Sequence, residues 1–400
     1  MKPEFQTFSG GLFDQVEKAD VGDNYAKLAK DNVALMGWAD PMMPDQSLPD
    51  FILDETIAAL KEPIASHYTA PTGNLELREI ICNYAKDKYG VKLDPKRNII
   101  ITPGSDSALF FSMFPFLSAG DEVIVPTPCY PNNLQNITMM QAKMIPLLLD
   151  TKDDYQISYD KLAALVTDKT KMIVLTHPNN PTTTVFNRAS LEAIRKVVLE
   201  NDLILVCDQA FDDFTYENEF IAPMSLPDMF DRTITVCSVS KGMGLSGYRI
   251  GYIFACDEIM DVFYGCAVSV IGASNTVNQI ALIEAFKHPE FMQEYGHKYD
   301  YRRHQAYRIL NEVPGVSLKL PESGFMAWVN VSKLGDSSEI CKILLDEAKV
   351  SVNDGKNYGP GGEGHFRIIL GVYQDDQKVV KVLEKIALTL KNIALKKGIK

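Results

Sequence analysis

Between about residue 95 and residue 256, short apolar runs rich in β-branched residues alternate with longer stretches whose apolar positions recur every three or four residues. The runs are Asn98 to Thr102, Glu122 to Pro126, Lys171 to Thr176, Leu203 to Cys207, Thr233 to Cys237 and Ile250 to Ala255. Each is nearly continuous in hydrophobicity rather than alternating, the pattern of strands covered on both faces. The chain therefore reads as α/β with a mainly parallel central sheet. Ahead of the first strand, Gly73 to Tyr89 predicts an amphipathic helix, with Leu77, Ile80, Ile81 and Tyr84 at helical spacing and Glu76, Glu79, Lys86 and Lys88 elsewhere.

Beyond about residue 290 the rhythm changes. Charged helical stretches surround Leu318 to Val331 and Phe366 to Leu370, and Asp375 to Leu395 predicts a terminal helix. This shift predicts a large domain over 46–290 and a smaller α+β domain formed by 1–45 plus 291–400, with a long helix near 285–310 as the bridge. The glycine-rich piece from Gly355 to Gly364 reads as a loop.

Composition narrows the function classes. With 52 acidic against 40 basic residues the net charge is -12, which repels a phosphate backbone and makes nucleic acid an unexpected partner. The N-terminal residues show no apolar core segment followed by a small-residue cleavage site, and no run approaches about 18 apolar residues, so a cytoplasmic protein with no membrane partner is expected. The seven cysteines, Cys82, Cys129, Cys207, Cys237, Cys256, Cys266 and Cys341, form no CxxC pair and read as reduced structural thiols. The six histidines show no metal-binding spacing, so no metal is expected. Asp208, Asp212, Asp213 and Glu217 could face Mg²⁺ from one helix, but no phosphate-binding motif accompanies them and a solvated acidic helix is the simpler expectation.

The densest chemical signal is Ser238-Val239-Ser240-Lys241-Gly242-Met243-Gly244-Leu245-Ser246-Gly247-Tyr248-Arg249. It contains a formal GxGxxG, yet the next strand starts at Ile250 and leaves no room for the crossover helix that would bind a pyrophosphate. What remains is a lysine among hydroxyls and glycines at the C-terminal end of a strand, where open α/β sheets bind ligands. Other strand ends carry further groups. Gly104-Ser105-Asp106 opens a helix and offers amides to an anion, although an ordinary helix cap has the same form. Pro126 to Tyr130 ends a strand with an aromatic ring, His177 to Thr182 ends another with amides, and Asp208 follows a third.

Taken together these motifs resemble the fold-type-I pyridoxal-phosphate enzymes, specifically the class I/II aminotransferase family. The resemblance runs from about Val33 to Leu370 and rests on Tyr68 with Gly73, Asn180-Pro181-Thr182, Asp208, Ser238-Val239-Ser240-Lys241 with Arg249, and Phe366-Arg367. It implies a large pyridoxal 5'-phosphate-binding domain and transamination between an L-amino acid and a 2-oxo acid, in ping-pong order through an aldimine on Lys241. By the same resemblance Asp208 pairs with the pyridinium nitrogen, and Gly104, Ser105, Asp106, Ser238, Ser240 and Arg249 hold the phosphate. Tyr130 matches the stacking aromatic, Asn180 the amide at the phenolic oxygen and the substrate, and Arg367 the arginine that grips the substrate carboxylate. Tyr68 matches a residue that reaches a neighbouring subunit's phosphate, which implies a homodimer with shared sites.

The sequence departs from the family pattern in places. Phe211 stands where many members carry a tyrosine that donates to the phenolic oxygen, and Asp106 puts a carboxylate in the phosphate turn. Gly37-Trp38-Ala39-Asp40-Pro41 resembles the family's substrate loop, with Trp38 and Ala39 shaping the pocket and Ala39 where glycine is usual. No arginine lies between Arg249 and Arg302, so a dicarboxylic substrate is not favoured by that route and an apolar, aromatic or sulfur-containing side chain is expected. Two other readings keep the scaffold: a C–S or other β-lyase, in which the same chemistry expels a leaving group, and a ligand-binding regulator without turnover.

Overall fold

All six predicted runs become strands of one sheet in the computed structural model of the chain, which describes Leu28, residues 30–46 and residues 48–399. The strands are β1 (Ile99–Thr102), β2 (Glu122–Thr127), β3 (Lys143–Leu148), β4 (Thr170–Thr176), β5 (Ile204–Asp208), β6 (Thr233–Ser238) and β7 (Gly251–Phe254). Their order across the sheet is β1-β7-β6-β5-β4-β2-β3. Neighbours among β2 to β6 run parallel, and only β7 runs against its two neighbours, β1 and β6. The C-terminal ends of β1, β2, β4, β5 and β6 therefore open on one edge.

The continuous hydrophobicity of the predicted runs has the cause assigned to it: β1, β2, β6 and β7 are buried at every residue. The strand missing from the sequence reading is β3. It is an edge strand with one neighbour, and only Leu147 in it is fully buried. It also contains Pro146, which has no N–H for a second neighbour. The predicted amphipathic helix is α1 (Leu75–Tyr89), capped by Asn74, whose side chain accepts from the Leu77 amide, and ended by Gly90 at φ 71. The turn after β1 leads into α2 (Ser105–Met113).

A second, antiparallel sheet has the order β10-β11-β9-β8, with β8 (Ser317–Leu318), β9 (Met326–Asn330), β10 (Asn353–Asp354) and β11 (His365–Ile369). The N-terminal residues reach it: Ala34–Leu35 pairs in parallel with Val350–Ser351, and the Ile369 amide donates to Met36 O at 2.7 Å. The expected bridging helix is divided, because the chain breaks at His288 and Pro289 between Thr276–Lys287 and α3 (Met292–Asn311). Arg302 of α3 is fully buried and donates to the carbonyls of Leu370, Val372 and Tyr373. It also pairs with Asp376 at the start of α4 (Asp376–Lys396), so its charge is spent on architecture. Of the expected N-terminal arm, residues 1–27 lie outside the described residues.

Candidate active site

A cavity of about 500 Å³ opens at the carboxyl edge of the large sheet. It is lined by Trp38, Ala39, Ser105, Asp106, Tyr130, Asn180, Asp208, Ser240, Lys241, Arg249 and Arg367, eleven of the residues singled out from the sequence. Three others lie outside the lining. Gly104 supports it from behind, Ser238 caps its own turn by accepting from the Ser240 amide at 3.1 Å, and Tyr68 is wholly exposed on the surface.

Lys241 follows β6 in the short helix Val239–Gly242. Its Nζ donates to the Ala39 carbonyl, and burial pulls its pKa down to about 8. Asp40 opposes that shift while Arg367 and Arg249 add to it. Across the same cavity Asp208 ends β5 and is only 3% exposed. Its carboxylate accepts from the Ala210 amide at 3.1 Å. Burial pushes its pKa up to about 7 against that bond, Asp106 and Asp212 push the same way, and Lys241 opposes them.

The phosphate-turn candidates assemble around Arg249. Gly104 has φ +85, and a Cβ there would lie 2.4 Å from Arg249 Nη2, so only glycine admits the guanidinium at that distance. Arg249 Nη1 donates to the Ser246 carbonyl at 3.0 Å, and the buried Ser240 Oγ has no hydrogen-bond partner. The carboxylate of Asp106 turns toward the aromatic wall: its Oδ1 accepts from Tyr130 Oη at 3.0 Å and from Asn132 Nδ2 at 2.9 Å. Asn132 also donates to Tyr130 Oη, so two side chains fix the tyrosine ring.

Arg367 is on β11, 1% exposed. It is not the surface ion pair that a strand arginine usually makes. It donates to Asn180 Oδ1 at 3.0 Å, the Gly37 carbonyl at 3.0 Å and Asn353 Oδ1 at 2.7 Å, all neutral acceptors, and its Nε has no partner. A buried guanidinium held only by neutral groups retains its charge for an anion. Because arginine only donates, Asn180 must turn its oxygen to Arg367, which leaves the amide Nδ2 as a donor. Phe211 lines the cavity and packs edge-on against Phe325 at 5.5 Å.

The sequence reading included Gly37, Asp40, Ser246 and Gly247 in its motifs without giving them a role, and it missed Asn132 in the lining and Asn353 behind it. Asn132 could have been found, since it stands two residues after Tyr130. Asn353 gave no signal, because its position depends on β10 pairing with β11. The solvated acidic helix expected from Asp208 to Glu217 is absent: the segment is a chain of turns, Asp212 is buried, and Glu217 pairs with Arg303. The described residues Glu217, Asp300 and His304 come close enough to share a cation, but Arg303 already pairs with both carboxylates.

A mixed α/β sheet that brings a part-buried lysine, a buried aspartate and two arginines to one cavity at its carboxyl edge defines the class: an enzyme of the fold-type-I architecture. The chain belongs to the aminotransferase class I and II family, whose model matches residues 36–386. It is 32% identical to an aspartate aminotransferase of Musicola paradisiaca over 79% of this chain and 80% of that one. It is 29% identical to aromatic-amino-acid aminotransferase 2 of Thermococcus litoralis, covering 86% and 89%. Among solved structures, an aromatic aminotransferase from Pyrococcus horikoshii superposes with a TM-score of 0.85 at 28% identity, covering 93% and 99%. The chain is an aminotransferase, and amino-group transfer is favoured over β-elimination. Among the described residues no helix is long and apolar enough to cross a membrane.

Proposed function

We propose that the cavity binds pyridoxal 5'-phosphate on Lys241 and exchanges amino groups between an L-amino acid and a 2-oxo acid in two half-reactions. The observation that carries this reading is that Lys241, with its pKa lowered, and Asp208, with its pKa raised, line the same cavity as Arg249 and Arg367. Four features fit the cofactor: the buried unpartnered Ser240 Oγ, the glycine-only approach of Arg249 to Gly104, the buried carboxylate of Asp208, and the ring of Tyr130 on the wall. When bound, this cofactor supplies an aldehyde carbon for amines and a cationic ring that withdraws electrons from the substrate α-carbon.

The chain's residues divide the remaining work. Arg249, Ser240, Ser105 and the turn amides of Gly104, Ser105 and Asp106 hold the phosphate. Asp208 holds the proton on the ring nitrogen, Tyr130 supports the ring face, and Asn180 Nδ2 donates toward the phenolic oxygen. Arg367 orients the substrate carboxylate, and the Lys241 amine carries the proton taken from the α-carbon. Trp38, Ala39 and Phe211 give the side-chain pocket apolar walls, and every cation in the described lining already has a role. An apolar, aromatic or sulfur-containing donor follows from this lining; of the relatives, the aromatic-amino-acid aminotransferase agrees with it and the aspartate aminotransferase does not. A stopped-flow screen of the twenty amino acids against the loaded protein, read as loss of the lysine-bound cofactor absorbance, tests it: fastest reaction with aspartate would overturn the pocket argument.

The same proposal places cofactor binding in a large domain over 46–290, with 1–45 plus 291–400 bringing the substrate loop and Arg367. It takes the protein to be a cytoplasmic homodimer with shared sites, with Tyr68 reaching the partner's phosphate. The full exposure of Tyr68, the exposed Val262, Val268 and Val270, and seven free cysteines support it.

Two substitutions probe the anion sites. Gly104→Ala forces a backbone region reserved for glycine, at about 1–3 kcal/mol, and displaces Arg249. Cofactor affinity measured by equilibrium dialysis should fall roughly 10- to 100-fold. Arg367→Gln removes a charge-assisted pair of about 1.5–3 kcal/mol, so kcat/KM for the amino acid should fall by roughly 10- to 100-fold while cofactor affinity holds. Equal loss of both would remove Arg367 from substrate binding.

A further inference from the structure

We propose that Lys88, Asp212 and Asp213 form a part-buried positioning cluster that fixes, as one unit, the two turns carrying Asp208 and Lys241. The inference rests on the roles given to those two residues above, and the cluster touches neither cavity nor substrate. Its observations lie on three separate elements. From the last turn of α1, Lys88 Nζ pairs with Asp212 Oδ1 at 3.2 Å and more closely with Asp213 Oδ1. One turn earlier, Tyr84 donates to Asp213 Oδ1 at 2.9 Å. Tyr89 donates to Asp212 Oδ2, and Gln209 Nε2 reaches the same oxygen at 3.3 Å.

Charged groups drawn this far from water, with Asp212 buried and the side chains of Lys88 and Asp213 20% and 13% exposed, are tolerated only when each is paired and hydrogen-bonded, and here they are. The pairing ties the segment after β5 to α1, and the Gln209 amide ties it to β6 by donating to the Val236 carbonyl at 2.8 Å. Asp208 is therefore set between a sheet strand and a segment clamped at Gln209, Asp212 and Asp213. The second link is steric. Asp213 Oδ2 occupies the side-chain space of Gly242, where a Cβ would lie 1.7 Å from it. Gly242 directly follows Lys241, so the carboxylate braces the turn from which the lysine projects. The φ of Gly242 does not lie in the left-handed region, so the requirement for glycine is space rather than backbone freedom.

The cluster leaves one uncompensated negative charge behind Asp208, in line with the contribution of Asp212 to the upward shift of that carboxyl. Cys237, Tyr84, Tyr89 and Tyr252 are the other titratable groups packed against it, and burial holds each of them neutral.

The test uses the purified full chain stripped of cofactor. Lys241 acylation by acetic anhydride is followed from pH 6 to 11 by mass spectrometry, with exposed lysines as internal standards. Asp213→Asn keeps the shape and removes the charge, and Lys88→Arg keeps the charge. The expected result is a several-fold change in Lys241 labelling, or a displaced midpoint, for Asp213→Asn, and a profile close to wild type for Lys88→Arg. The steric link is read from a double-mutant cycle. Gly242→Ala alone should change Lys241 labelling about tenfold, and should change it little once Asp213→Ala has vacated the space.

Additive effects of Gly242→Ala and Asp213→Ala, with an unaltered labelling profile in Asp213→Asn and only a lower Tm, would overturn the proposal and leave the cluster a stability element. Borohydride trapping of pyridoxal phosphate in the wild-type protein separates the two readings. Its failure at Lys241 would sink the functional assignment, whereas the labelling comparison, made without cofactor, still decides the cluster.

Discussion

Borohydride reduction of the protein loaded with pyridoxal phosphate leaves the cofactor on a single peptide, the one containing Lys241, and Lys241→Ala abolishes the label. In the variant the half-reaction slows by on the order of 10²- to 10⁴-fold, the usual contribution of a positioned acid–base group, in addition to the loss of the covalent attachment. The lysine is suited to this because its amine is neutral at a pH where an exposed lysine is not. Burial lowers its pKa to about 8, from 10.5, with Arg367 and Arg249 adding to the fall and Asp40 resisting it. Only the neutral amine attacks a carbonyl, so the rate of cofactor capture rises with pH through about 8 and levels above it. Lys241→Arg keeps the charge and cannot lose it, so it captures no cofactor at any of these pH values. A label on another lysine, or a capture profile still rising at pH 10, would contradict the assignment.

How much of this was legible in the sequence follows from which interactions are local. Buried parallel strands announce themselves because both faces need apolar residues, so β1, β2 and β4 to β7 were found. Edge strand β3 was not, since half of its surface faces away from the core and Pro146 breaks its pattern. Lys241, Asp208 and Tyr130 were legible because strand ends deliver them, and a strand end is a local feature. Asn353 was not, because it reaches the site only through the pairing of β10 with β11, and Asp40, although part of the quoted loop, showed nothing of its place beside Lys241, which depends on chain return from a distant segment. Asp212 and Asp213 illustrate the opposite error. Adjacent acids in a polar stretch read as solvated, and nothing local reveals that Lys88, more than a hundred residues earlier, is placed beside them to pair. Asp106 gave a true warning: a carboxylate in the phosphate turn has to point away from it, and here it is engaged by Tyr130 and Asn132.

Asp208→Asn separates chemistry from binding more sharply than any other change. The side chain keeps its volume and loses its charge, so the protein should still take the cofactor on Lys241. Removing one member of a buried ionic pair costs about 3–5 kcal/mol, and the half-reaction should slow by roughly 10²- to 10⁴-fold. Stability supplies an independent reading with a definite sign. In the cofactor-free protein the Asp208 carboxyl titrates near 7, against an ordinary value of 3.8. Between about pH 4 and 7 the folded chain thus holds a proton that the unfolded chain has released, and stability falls as pH rises through that window. The asparagine variant lacks this dependence, so its Tm should gain on the wild type between pH 4.5 and 7.5. Asp212, raised to about 6, is present in both proteins and largely cancels in the comparison. Loading the cofactor should erase the difference in slope, because a cationic ring nitrogen facing Asp208 favours the ionised carboxylate and returns its pKa toward or below the ordinary range. Wild-type and variant curves that run parallel over this window, both loaded and stripped, would remove Asp208 from that role and with it the electronic half of the proposed chemistry.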